Sequence, residues 1–260
     1  MTNPSSKTNS DFKIASTESI SLHQGRDGIA FKITDLSVNK PDGSLLIKPF
    51  SLALQAGERL MISGPSGCGK STILRAAHGI WPWGSGQIEI DENARKLIVA
   101  QKPHLPLTSL KGMICFPKFM EHHTDDAVAD ALNKAGLGQF ISDMNDTTKD
   151  GSFWERLSGG EKQRISFARI FLHKPTLLML DEVTASLDVK AQDELYSMLL
   201  KELPDSAIIS ISHRMELAQY HNRHAVIENQ SFKFRLPEPE PTDCPVCRAY
   251  IVSPGLTCPD

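Results

Sequence analysis

The sequence predicts an α/β fold: a parallel central sheet with a helical insertion. Three observations carry this expectation. A glycine-rich segment, GPSGCGKS from Gly64 to Ser71, stands between a short apolar run and a helix-forming stretch. TLLML (Thr176 to Leu180) and AIISIS (Ala207 to Ser212) are continuous apolar runs, the pattern of strands buried on both faces of a parallel sheet. AVADALNKAGL, lying between the glycine-rich segment and those runs, spaces Val128, Leu132 and Ala135 along one helix face.

Taken in order, residues 1–29 are rich in Ser, Thr and Asn without a sustained period, so they are expected to be a flexible segment or linker. From Ala30, the runs FKITDLSV, LLIKPFSLAL and RLMIS read as strands separated by turns at Pro41 to Gly43 and at Ala56 and Gly57. TILRAAHGI should form a helix directly after the glycine-rich loop, closed by Gly79 and Pro82. Residues 103–156 read as the helical insertion, with Thr124 as a cap. HAVIENQSFKFRL suggests a terminal hairpin turning near Asn229, which closes a domain spanning residues 30–236. The rest, 237–260, is an extended tail containing Pro and Cys.

Composition narrows the function classes. The chain has 260 residues, 40% hydrophobic and 23% charged, close to globular averages. Its net charge of −3 supplies no general pull towards nucleic acid or anionic lipid, so nucleic acid is not expected as a partner and any phosphate binding must be local. No run approaches the ~20 apolar residues that cross a bilayer, and MTNPSSKTNSDFK lacks the apolar core of a signal peptide. A cytoplasmic location with five reduced cysteines is the expectation. CPVC (Cys244 to Cys247), with Cys258 beyond, is half of a zinc-site spacing without an evident fourth ligand, so no structural metal is expected there.

The loop matches G-x-x-x-x-G-K-[ST], a pattern that a chain of this size meets by chance on the order of one time in a hundred. Gly64, Pro65, Ser66, Gly67, Cys68 and Gly69 form a bend in which backbone N–H groups converge on phosphates. Lys70 reaches the terminal phosphates, Ser71 offers a hydroxyl to Mg²⁺, and Thr72 follows in the same helix start. Cys68 is either a thiol activated by that helix N-terminus or a neutral filler. Further on, LLMLDE ends an apolar strand with Asp181 and Glu182, at the edge where open α/β sheets bind ligands. Asp181 there suits Mg²⁺, and Glu182 suits polarisation of the water that attacks a γ-phosphate.

Between these lies LSGGEKQR, Leu157 to Arg164: Ser158 as a cap, then Gly159 and Gly160 exposing amide donors at a helix start. With this octapeptide the chain resembles the ATP-binding cassette family, whose signature motif it reproduces. The resemblance implies a P-loop NTPase core, a mostly parallel sheet with an N-terminal antiparallel β subdomain, plus a helical signature subdomain, with ATP and Mg²⁺ as cofactors, and ATP hydrolysis. It also implies a second cassette, a homo- or heterodimer partner arranged head to tail, so that ATP lies between one GPSGCGKS loop and the other LSGG.

Residue by residue, Gln101 in IVAQKPHLPL matches the loop glutamine that contacts Mg²⁺ or the attacking water. Ser186, Leu187 and Asp188 match the loop that crosses the dimer interface, and His213 in SISHR matches the histidine that contacts the γ-phosphate. The resemblance thus implies Glu182, His213 and Lys70 as catalytic residues, with Ser71, Gln101 and Asp181 at the metal.

The spellings WPWGSG and HLPL resemble the branch of peroxisomal fatty-acyl transporters and their bacterial relatives. That implies a transmembrane-domain partner, fused or separate, which would hold the cassette at the cytosolic face of a membrane. The segment Gln101 to Leu107 would transmit closure to that partner. The alternative is a soluble cassette that powers assembly or remodelling of a non-membrane complex, and co-purification with an integral membrane protein separates the two. Many cassettes stack an aromatic ring on adenine. Here SVNKPDG offers Lys40, whose cation–π contact is worth only ~1 kcal/mol, so the polyphosphate should dominate affinity.

Overall fold

The computed structural model describes residues 19–102, 104–106, 108–147 and 157–235. In chain order its strands are β1 (Ser21–Gly25), β2 (Phe31–Asn39), β3 (Leu45–Leu54), β4 (Arg59–Ser63), β5 (Gly84–Asp91), β6 (Lys96–Val99), β7 (Leu177–Asp181), β8 (Ala207–Ile211), β9 (Arg223–Glu228) and β10 (Ser231–Arg235). The helices described are α1 (Lys70–Ala77), α2 (Leu110–Cys115), α3 (Asp125–Lys134), α4 (Gly159–His173) and α5 (Val189–Glu202).

The apolar runs become the centre of a six-stranded sheet ordered β10-β9-β4-β8-β7-β6, parallel throughout except for β10. A second sheet, β1-β5-β2-β3, is antiparallel apart from the β1–β5 pair. Strand geometry sends successive side chains to opposite faces. Leu60, Ile62, Leu177, Met179, Ala207, Ile209 and Ile211 therefore enter a core shared with α1 and the antiparallel sheet. Met61, Leu178, Leu180 and Ile208 enter a second core built with α2, α3, α4 and α5. Each fully buried Leu or Ile contributes roughly 1.5–3 kcal/mol of transfer free energy.

Local chemistry sets the helix ends. Thr124 caps α3 by accepting from Ala127 N at 3.3 Å, and Val128, Leu132 and Ala135 are fully buried, as the helical spacing required. α1 closes in a Schellman turn: Gly79 N donates to Ala76 O at 2.9 Å and Ile80 N to Arg75 O at 3.0 Å. The expected hairpin joins β9 to β10 through Asn229 and Gln230, both left-handed at φ 50° and 63°.

The lead-in requires a correction. Within residues 1–29, Ser21–Gly25 form β1, which pairs in parallel with β5. Its sequence, SLHQG, has one exposed Leu and no alternation, so it takes its conformation from its neighbour rather than from its own pattern. Residues 1–18 lie outside the described residues. β5 and β6 escaped the sequence reading as well. Gly84 and Gly86 give β5 the look of a turn, yet a Cβ on Gly86 would lie 2.5 Å from Asp35 O, at a register shift between β2 and β5. The tail 237–260, with Cys244, Cys247 and Cys258, is outside the described residues, as are Pro103, Leu107 and 148–156 of the helical insertion.

Behind the sheet, Tyr196, Ser210 and His221 form a buried polar network. Nδ1 of His221 lies 2.8 Å from Leu217 O and Nε2 lies 2.8 Å from Ser210 Oγ, while Tyr196 OH donates to Ser210 Oγ at 3.4 Å. A neutral ring that donates from Nδ1 and accepts at Nε2 satisfies both contacts. Burial lowers the His221 pKa to about 4, against the opposing hydrogen bond to Leu217. The unfolded chain therefore binds a proton between pH 6.5 and about 4 that the folded chain refuses, and stability falls as pH falls through that window. The expected loss is about 3 kcal/mol on crossing it. Denaturant unfolding at pH 7 and pH 4.5 should show it, and in His221→Gln that contribution should disappear.

Candidate functional site

The loop from Gly64 to Gly69 leaves β4 at its C-terminal end and runs into α1, the geometry that aims amide groups and a helix N-terminus at an anion. Lys70 is 5% exposed, and its Nζ donates to Gly64 O at 2.8 Å and Pro65 O at 3.0 Å. Both acceptors are neutral carbonyls, so the buried ammonium has no carboxylate partner among the described residues and is poised for an anion. Ser66 and Gly67 are exposed at the apex, Cys68 is a half-buried free thiol, and Thr72 is buried.

β7 delivers the acids. Ser71 Oγ donates to Asp181 Oδ1 at 2.9 Å, which joins the start of α1 to the end of β7 across 110 residues of sequence. Burial raises the Asp181 pKa, the Ser71 hydrogen bond opposes this, and the neighbouring Glu182 charge adds to it. A desolvated carboxylate beside a hydroxyl is short of positive charge. A hard cation with oxygen ligands fits that pair. The described residues contain no cluster of three His, Cys, Asp or Glu side chains, so the set does not resemble a zinc site.

Glu182 sits one residue further in a left-handed conformation, φ 50°, with its amide donating to Ile211 O at 3.0 Å. That uncommon backbone turns its carboxylate away from the strand direction. Gln101 Nε2 donates to Glu182 Oε2 at 2.7 Å, and His213 Nε2 lies 3.0 Å from Oε1. Gln101 follows β6 and His213 follows β8, so the strands beside β7 bring both groups to one carboxylate.

Ser158, Gly159 and Gly160 open α4. Ser158 Oγ accepts from Glu161 N at 3.2 Å and the Glu161 carboxylate accepts from Ser158 N at 2.9 Å, a complete capping box. The nearest neighbours of Gly159 and Gly160 are Ser186 and Leu187. Asp188 caps α5 by accepting from Ala191 N at 2.8 Å. Lys70, Ser71, Asp181, Gln101, Glu182 and His213 thus converge on one sheet edge, whereas Ser158, Gly159 and Gly160 gather at the Ser186–Asp188 loop. Lys40 is exposed in the β2–β3 turn.

Sequence reasoning gave no role to a set of residues behind this loop. Gln163 Oε1 accepts from Ser186 N at 2.9 Å, and Arg214 donates to Leu187 O and Ala185 O at 2.8 and 3.2 Å. Both stand inside quoted motifs, LSGGEKQR and SISHR, but nothing local distinguishes them from surface polar residues.

Beside Gln101 opens a cleft of about 540 Å³, lined among others by Arg75, Lys102, His104, Phe116 and Arg169. Arg169 is 8% exposed; Nε donates to Met113 O at 2.7 Å and Nη2 has no hydrogen-bond partner among the described residues. No helix among the described residues is long and apolar enough to cross a membrane.

Comparison with known proteins agrees with this geometry. Residues 47–185 match the ABC transporter family. An uncharacterized ABC transporter ATP-binding protein of Haemophilus influenzae is 34% identical over 209 residues, covering 80% of this chain and 34% of that protein. ATP-binding cassette sub-family D member 3 of Mus musculus is 29% identical over 210 residues, 78% of this chain and 32% of that one. The chain therefore spans about a third of the length of these curated relatives. Among solved structures, a bacterial Atm1-family ABC exporter with ATP bound superposes with a TM-score of 0.70 at 25% identity, covering 81% of this chain and 39% of the exporter. A phosphate-binding loop joined to the acidic end of β7, a signature helix of matching sequence and these relatives agree: the chain belongs to the ABC transporter family and comprises its ATPase domain.

Proposed function

We propose that the chain binds and hydrolyses ATP as one of two cassettes that drive a membrane-spanning partner at the cytosolic face of a membrane. The observation that carries this reading is the convergence of Lys70, Ser71 and Asp181 with the Gln101–Glu182–His213 cluster on one sheet edge. Lys70 exchanges its two carbonyl acceptors for the β- and γ-phosphates. Ser71, Asp181 and Gln101 would hold Mg²⁺, which supplies charge neutralisation to those phosphates when bound. Glu182 accepts the proton of the attacking water, and His213, released from Glu182, donates to the γ-phosphate.

The amides of Gly159 and Gly160 face the ATP of the opposite cassette, so a lone chain holds an incomplete site. That the matched segment is only about a third of each curated relative, and that a similar solved structure is an exporter, support a membrane-domain partner, fused or separate. The cleft beside Gln101 and His104 is the surface offered to it.

The test is the rate of phosphate release as a function of protein concentration at saturating Mg-ATP. A two-cassette site makes the rate rise more steeply than linearly at low concentration and become proportional once dimers saturate. Strict proportionality over the whole range would defeat the shared site.

A further inference from the structure

Arg214 follows His213 directly and turns back from the nucleotide edge. Its Nη1 donates to Leu187 O at 2.8 Å and to Gln192 Oε1 at 3.1 Å, and its Nη2 donates to Ala185 O at 3.2 Å. All three acceptors are neutral, so the guanidinium serves geometry rather than charge neutralisation. Its planar fork suits several carbonyls held in one plane better than an ammonium would. Gln192 is fully buried and also accepts from Thr184 Oγ1 at 3.1 Å, which fixes the far end of the clamp within α5. Arg214 N donates to Ser212 Oγ at 2.9 Å, which fixes the near end beside His213.

The clamped segment is the exposed one. Ala185, Ser186 and Asp188 face outwards while Thr184 and Leu187 are buried. Ser186 N also donates to Gln163 Oε1 at 2.9 Å, so the segment is tied at the same time to the signature helix. It therefore hangs between two elements: the loop that carries His213 and the helix that Ser158 opens.

We infer that Arg214 is a positioning residue that makes the outward-facing loop Ala185–Asp188 follow His213, so that the engagement of one γ-phosphate sets the surface offered to the second cassette. The inference rests on the two-cassette reading above. His213 at rest contacts Glu182; when it moves to phosphate, the peptide of Arg214 moves with it and carries Ala185 O and Leu187 O along. An arginine whose role was only to hold the fold would affect stability. This one sets the pairing of cassettes.

The test uses the full chain carrying Glu182→Gln, which holds ATP without turnover, and compares it with Glu182→Gln/Arg214→Ala and Glu182→Gln/Arg214→Lys. Sedimentation velocity with Mg-ATP gives the dimer Kd, and a fluorescent ATP analogue at low protein concentration gives nucleotide affinity. The expected result is a dimer Kd weakened at least tenfold by Arg214→Ala and by an intermediate factor by Arg214→Lys, with nucleotide affinity within twofold of the parent. In the Glu182 background, hydrolysis by Arg214→Ala should recover towards the parent kcat at high protein concentration with KM for ATP unchanged. Equal dimer Kd values in parent and variants would overturn the inference alone. Failure of the Glu182→Gln parent to pair in ATP would overturn the two-cassette reading and the inference with it. If Arg214→Ala does not fold, Arg214→Lys, which keeps the charge and the aliphatic stem, decides between the same outcomes.

Discussion

Glu182→Gln should lower the rate of ATP hydrolysis at least a hundredfold while leaving ATP affinity nearly unchanged. The carboxylate is held from both sides, by Gln101 Nε2 at 2.7 Å and by His213 Nε2 at 3.0 Å. A glutamine is isosteric and retains one oxygen for such donors, so the local structure survives. What disappears is the ability to take a proton from water, and removal of a general base commonly costs 10²–10⁴ in rate. Affinity persists because the groups proposed for the phosphates and the metal, Lys70, Ser71 and Asp181, are untouched. Steady-state phosphate release and equilibrium binding of a fluorescent nucleotide, measured on the same preparation, separate the two effects. A variant that keeps more than a tenth of the parent rate would remove Glu182 from the role of base.

Gly64→Ala should cost several kcal/mol and abolish useful nucleotide binding. The residue has φ 143°, a region that L side chains rarely adopt, and an added Cβ would lie 2.6 Å from Ile227 O and 3.1 Å from Cys68 Sγ. Ile227 belongs to β9, which is hydrogen-bonded along β4 in the central sheet, so its backbone cannot retreat as a flexible side chain would. Backbone strain of about 1–3 kcal/mol adds to an overpacking cost of similar size. In a chain of this length each kcal/mol lowers Tm by roughly 2–4 °C, so a fall of about 10 °C is expected. The exposed loop yields before the sheet does, which carries the Gly64 and Pro65 carbonyls away from Lys70. Calorimetry and nucleotide titration check both consequences. An unchanged Tm with parental affinity would show that the loop accommodates a side chain at this point.

How legible the molecule was in its sequence depends on how local each signal is. β4, β7 and β8 announce themselves because strands buried on both faces need a near-continuous apolar run, and Leu60–Ile62, Leu177–Leu180 and Ala207–Ile211, interrupted only by Ser210, supply it. The loop Gly64–Ser71 and the helix opened by Ser158 are legible because each is a contiguous peptide whose residue types carry their own geometry. β1, β5 and β6 were not. Ser21–Gly25 is too polar to show a face, and the glycines at 84 and 86 that admit the β2 backbone also imitate a turn.

For the site, the meeting of Gln101, Glu182 and His213 followed from the family resemblance rather than from any spacing, because the partners lie 81 and 31 positions apart along the chain. Gln163, Gln192 and Arg214 carried no local signal at all. The partners of their side chains lie eight to 29 positions away and are mostly main-chain atoms, and no side-chain pattern encodes those.

One consequence follows from the way the central strands deal alternate side chains to opposite layers. Leu178 and Leu180 look one way while Leu177 and Met179 look the other, along a peptide that ends in Asp181. Neither layer owns a wall of its own, so loosening either strips support from the same strip of backbone. Damage far out in the helical lobe therefore reaches the Asp181 carboxylate by a route only one strand thick, and the sheet edge that bears it inherits the solidity of whichever side is weaker.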